Sequence, residues 1–83
     1  MEVEKTLSLT RQELADLLKG IASQLEAGGS VRSEALNNEV VPQEPILVKL
    51  EYEDKVATQK IEIDIHLIGS SQAQPQQPQP PVF

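Results

Sequence analysis

Residues 10–29, TRQELADLLKGIASQLEAGG, carry the pattern that most constrains the fold of this chain. Their large aliphatic residues recur at spacings of three and four, which places them on one stripe of a helix. The stripe consists of Leu14, Leu17, Leu18, Ile21 and Leu25. Thr10 and Glu13 match a capping box, in which each side chain accepts a hydrogen bond from the other residue's backbone N–H. Gly28 supplies the left-handed C-cap, so the sequence predicts an amphipathic helix with both ends defined.

Two later segments alternate between apolar and polar residues, with the period of two that is typical of β-strands. Their apolar members are Ile46, Val48, Leu50 and Tyr52 in the first arm, and Ile61, Ile63, Ile65 and Leu67 in the second. A two-residue turn at Asp54-Lys55 would bring both sets to one face and pair Val48 with Ile61. We expect this apolar face and the helix stripe to form the core, excluding Tyr52.

The predicted fold is α+β, with one amphipathic helix packed on one face of a small antiparallel sheet of four to five strands. Residues 1–9 are expected to form an edge strand, with Lys5 on its apolar side, and residues 30–41 two short strands joined at Asn37-Asn38. Residues 1–68 would then be a single domain. Residues 69–83 have no charge and are rich in Pro and Gln, which predicts a disordered tail.

Composition excludes several classes of partner. The chain has 83 residues, a net charge of -6, no cysteine and no Lys/Arg cluster. Binding to nucleic acid or to an anionic membrane depends on clustered cations, so neither is expected. Residues 1–10 are acidic where a signal peptide would be basic, and no apolar run approaches the roughly 20 residues of a membrane span, so we expect a cytoplasmic protein.

Catalytic and cofactor patterns are also missing from the sequence. No serine, threonine or lysine is paired with a base in a known arrangement, and no Gly-rich loop follows a strand, so we expect neither an enzyme nor a cofactor. Glu62, Asp64 and His66 share the polar face of the last arm and are the only candidates for a metal site. Ligands at these spacings on one strand diverge, and no second histidine or cysteine completes a shell.

The capped helix TRQELADLLKGIASQLEAGGSV followed by ILVKLEYEDKVATQKIEIDIHL resembles the amphi-Trp domain, a family of small prokaryotic proteins. The family's last alternating strand ends in a tryptophan, where this sequence has Leu67, so the resemblance is to a divergent member. It implies a helix packed on an antiparallel sheet and no known reaction.

The sequence favours a non-catalytic protein-interaction or structural module, which would form a homodimer or bind a protein partner. A domain of this size buries only about 60% of its unfolded surface, and association is a common way to stabilise it. The alternative is weak binding of a metal or small ligand by Glu62, Asp64 and His66.

Overall fold

The structure is a computed structural model that describes residues 1–70. It contains one helix and four strands: α1 Arg11–Ala27, β1 Val31–Ser33, β2 Asn38–Val40, β3 Leu47–Asp54 and β4 Gln59–His66. The strands form two separate antiparallel sheets, β1–β2 and β3–β4, which confirms the α+β class. The described residues do not form the expected single sheet of four to five strands. Of the predicted disordered tail, residues 71–83 lie outside the described part.

The chain divides into two compact units, the first running from Met1 to Pro42 and the second beginning at Gln43. In the first unit, both predicted ends of α1 are present. The Glu13 N–H donates to Thr10 Oγ1 at 3.1 Å, and the Thr10 N–H donates to Glu13 Oε1 at 2.9 Å. Gly28 has φ 85° and its N–H donates to the Leu25 carbonyl. These bonds satisfy backbone groups that a helix end otherwise leaves unpaired.

A side-chain amide joins α1 to β1. The Arg32 N–H donates to Gln24 Oε1 at 2.7 Å, and Gln24 Nε2 donates to the Arg32 carbonyl at 3.3 Å. Gln24 therefore satisfies both backbone groups of Arg32, as a neighbouring strand would.

β1 pairs on its other side with β2, in the register Val31↔Val40. The predicted turn at Asn37-Asn38 is wrong, because the connection is 34–37 and Asn38 pairs with Ser33 as the first residue of β2. Asn37 does adopt a positive φ, 56°, as its turn chemistry predicts.

The second unit is built on the β3–β4 hairpin. All eight residues of each strand pair, in a register that sets Val48 opposite Ile65 and Leu50 opposite Ile63. The predicted two-residue turn is wrong, because the connection is 55–58, closed by a 2.8 Å hydrogen bond from the Lys55 N–H to the Thr58 carbonyl. The longer connection lets both alternating arms pair along their whole length. Opposed residue numbers still sum to an odd number, so the two apolar sets share one face.

The predicted N-terminal strand is absent, since residues 1–9 have no regular structure. Their alternation is broken at Lys5, and no described strand pairs with them, so the short segment gains no ladder of hydrogen bonds.

Most of the predicted core is not buried. Val31, at 7% exposure, is the one buried apolar residue in the described part. Leu14, Leu17, Leu18, Leu25, Val48, Leu50, Ile61, Ile63 and Ile65 are exposed, and Ile21, Ile46 and Leu67 are half-buried. Within the first unit, β1 and β2 have three residues each and are too small to cover the stripe of α1. In the described part of the second unit, residues 43–70, no further helix or strand forms a second layer against the hairpin.

We expect Gly28→Ala to lower the free energy of unfolding of α1 by about 1 kcal/mol, because a Cβ is disfavoured at positive φ. Gly29→Ala is the matched control, since a Cβ at either glycine meets no atom within 4 Å and only Gly28 has the left-handed backbone. Urea unfolding followed by far-UV circular dichroism measures both. Equal effects of the two substitutions would contradict the assigned cap.

Gln24→Ala is expected to destabilise the first unit by about 1 kcal/mol, because it removes two exposed hydrogen bonds to the N–H and the carbonyl of Arg32, which water replaces in part. Gln12→Ala is the control, since the Gln12 side chain bonds only the Asp16 side chain one helical turn away. Hydrogen exchange at the Arg32 amide reads the bond directly. Unchanged protection of that amide in Gln24→Ala would refute the assignment.

Candidate interaction surface

One face of the hairpin is a continuous apolar surface in the described part of the second unit. This apolar face consists of Val48, Leu50, Tyr52, Ile61, Ile63 and Ile65. It is built from three directly opposed cross-strand pairs, and the exposure of its members runs from 46% at Ile65 to 72% at Ile61. Scattered exposed apolar residues are ordinary, but five aliphatic residues and a tyrosine on one face form a patch of the kind that marks an interaction site.

The opposite face of the hairpin is charged. Lys49 lies opposite Asp64 and Glu53 opposite Lys60, whereas Glu51 lies opposite Glu62. Each glutamate of this like-charged pair has a lysine neighbour on its own strand, with Lys49 Nζ 3.6 Å from Glu51 and Lys60 Nζ 3.7 Å from Glu62. These ion pairs are exposed, so they add little net stability and mainly define the charge pattern of this face.

The structure does not gather the candidate metal ligands into a site. Glu62, Asp64 and His66 lie on the charged face as the alternation predicts, but the residues opposite them are Glu51, Lys49 and Leu47. Among residues 1–70, no group of three or more His, Asp or Glu side chains could hold a metal ion. Alternate residues of a strand are about 7 Å apart, so the three side chains do not converge on one point. Lys49 lies opposite Asp64 and Lys60 is paired with Glu62, so both carboxylates already have a cationic neighbour that competes with a metal ion.

A shallow depression on the same hairpin is lined by Glu51, Tyr52, Glu53, Lys60 and Glu62. Its walls are mostly charged and its lysine is already paired with two glutamates, at 3.8 Å and 3.7 Å. Small-molecule sites are mainly apolar and enclosed, so this depression lacks the character of one.

The open outer backbone edge of β3 was not predicted from the sequence. Within residues 1–70, β3 and β4 pair only with each other, so each strand has one edge without a partner strand. The edge of β1 differs, because Gln24 occupies the backbone groups of Arg32 there. An unpaired edge is a template for another strand. The length and alternation of the 46–53 segment are the signal that could have indicated it.

The stripe of α1 is a second exposed apolar surface, in the first unit. Leu14, Leu17 and Leu18 are 45%, 40% and 46% exposed. Each residue of the stripe lies within four positions of the next, as the sequence predicts, so the surface is continuous along the helix.

Comparisons with known proteins add no relative to this description. No family model, no curated protein and no solved structure matches the chain. Within residues 1–70, no helix has the length and apolar character needed to cross a membrane.

Excess zinc, nickel or calcium is expected to leave the melting temperature unchanged, because a ligand raises stability only when it binds the native state. Thermal unfolding with and without each metal measures this, and His66→Gln is the control for non-specific effects. A rise in melting temperature that disappears in His66→Gln would contradict the expectation and restore the metal site.

Proposed function

We propose that this chain is a small non-catalytic protein-interaction module that acts by self-association through the β3–β4 hairpin. The observation that carries the proposal is the exposed apolar face on a sheet of only two strands. An isolated two-stranded hairpin is marginally stable in water and needs further strands or a packed helix. Strands added by a partner would stabilise the hairpin and bind the partner at the same time.

The proposed partner is a second copy of the chain. The open edge of a strand presents the same row of unpaired N–H and carbonyl groups in every copy, so a second copy can pair with it through a two-fold axis. The apolar face has no charged side chain, and the net charge of -6 on each copy is carried elsewhere. Repulsion between two acidic copies would therefore act mainly at long range, where salt screens it.

The other expectations belong to the same proposal. A cytoplasmic location, the absence of catalysis and of a cofactor, and divergent membership of the amphi-Trp domain family are all consistent with a module that works through surfaces. Binding of a metal or small ligand by Glu62, Asp64 and His66 has no observation in its favour.

Sedimentation of the full chain from about 1 μM to 1 mM tests the proposal. We expect a mass that rises above the 9.1 kDa of one chain, with a melting temperature that increases with protein concentration, because association stabilises only the folded state. Hydrogen exchange of the β3 and β4 amides should slow over the same range of concentration.

A mass of 9.1 kDa at every concentration, with β3 and β4 amides already protected at the lowest one, would overturn the proposal. The hairpin would then be stable within a single chain and would need no second copy.

A further inference from the structure

We propose that the second copy adds to the outer edge of β3, antiparallel, with Leu50 opposite the partner's Leu50. The result is a four-stranded sheet in the order β4–β3–β3–β4, related by a two-fold axis through Leu50. This inference rests on the proposed self-association and names the edge and the register through which it occurs.

The backbone of β3 offers the groups that such pairing needs. The Lys55 N–H bonds the Thr58 carbonyl, which makes these two residues a hydrogen-bonded pair. Hydrogen-bonded and non-hydrogen-bonded pairs alternate along an antiparallel ladder. Counting back from Lys55, we infer that the N–H and carbonyl groups of Val48, Leu50 and Tyr52 are directed away from β4. Within residues 1–70 no other strand pairs with β3, so these groups face the open edge.

The charge pattern of β3 is complementary to itself in one register. With Leu50 on the two-fold axis, Lys49 lies opposite the partner's Glu51, and the axis repeats this opposite-charge pair. On the other face, Val48 lies opposite the partner's Tyr52, which is an apolar pair. Cross-strand pairs of opposite charge and of aromatic with β-branched residues are both stabilising. The remaining pair, Leu47 with the partner's Glu53, brings no two charges together.

Neighbouring registers lose this complementarity. Moving the axis to Lys49 or to Glu51 places that residue opposite its own copy, so two like charges meet at the centre. Centring on Val48 or Tyr52 instead leaves much of the strand unpaired. The register through Leu50 is therefore the one that combines length with charge complementarity.

The other strand edges are less suitable for a two-fold contact. On β4, an axis through Ile63 sets Glu62 opposite the partner's Asp64, which brings two carboxylates together twice. An axis through Ile61 sets Lys60 opposite the partner's Glu62 but pairs only residues 59–63, whereas the axis through Leu50 pairs residues 47–53 of β3. On β1, the Gln24 amide already occupies the backbone groups of Arg32. These differences select β3.

Pairing at β3 would also stabilise the hairpin. Two sheets of two strands become one sheet of four, and a sheet of three or more strands with an apolar face is large enough to be stable. The apolar faces of the two copies become continuous, because Val48, Leu50 and Tyr52 of both copies lie on the same side.

Charge reversal at one position of β3 tests the register. Glu51→Lys replaces the opposite-charge pair with two lysines, one on each strand, at both symmetry-related positions. We expect the dimer dissociation constant to rise by about tenfold or more. The double variant Lys49→Glu/Glu51→Lys restores opposite charges and should return the constant to within a few-fold of the wild type. Sedimentation equilibrium of the full chain measures each constant.

Glu62→Lys is the matched control, since it makes the same change in net charge on β4, directly opposite Glu51 in the hairpin. It should leave the dissociation constant within a few-fold of the wild type. Equal weakening by Glu51→Lys and Glu62→Lys, or failure of the double variant to recover, would overturn the inference. A wild-type dimer with that result would leave the proposed self-association intact, whereas a wild-type monomer would overturn both.

Cross-linking gives a second test that does not depend on charge. The chain has no cysteine, so Leu50→Cys introduces a single thiol at the proposed axis. Hydrogen-bonded antiparallel pairs have Cα atoms about 5.5 Å apart, within the range that a disulfide spans. We expect Leu50→Cys to form a disulfide-linked dimer under mild oxidation, while Ile63→Cys, on the same face but on β4, remains mostly monomeric. The reverse order of cross-linking would exclude the β3 edge.

Discussion

Lack of a second layer against the hairpin is the constraint on which the rest of this structure depends. Burying a Leu or Ile side chain contributes roughly 1.5–3 kcal/mol, so six side chains left on an open face forgo on the order of 10 kcal/mol. That amount is comparable with the whole stability of a typical domain. Since Val31 is the one buried apolar residue in the described part, hydrophobic burial within each described unit contributes little stability. Strands added by association would stabilise the hairpin instead.

Features set by neighbouring residues were predictable from the sequence. The ends of α1 follow from Thr10, Glu13 and Gly28, because capping bonds span only three or four residues. The shared face of the hairpin follows from the odd sum of opposed residue numbers. This sum stays odd when the loop length changes by an even number of residues. The register did not follow, since it depends on how many residues the 55–58 connection uses, and Asp54-Lys55 fitted a shorter turn equally well. The N-terminal strand failed because a strand needs a partner that local alternation cannot supply.

The sequence predicted the members of the candidate surface but not their exposure. Alternation identified the six members of the apolar face but assigned most of them to a core, because period and hydrophobicity are the same whether a face packs internally or against another chain. Alternation also placed Glu62, Asp64 and His66 on one face without revealing that Lys60 pairs with Glu62 and Lys49 lies opposite Asp64. The direction of the β3 backbone groups depends on the hydrogen bond at Lys55, and this bond has no signature in residue type.

Gln24 has a consequence for the evolution of chain length. The Gln24 side-chain amide bonds both backbone groups of Arg32. These bonds fix the number of residues between the last turns of α1 and β1, including residues 28–30. Surface connections usually tolerate insertion, because nothing depends on their length. Here an added residue would present a different backbone position to Gln24 and turn the side chains of β1 to the other side, Val31 among them. An insertion in this connection would therefore break the bonds between Gln24 and Arg32, whereas an insertion within residues 1–9 would leave them intact.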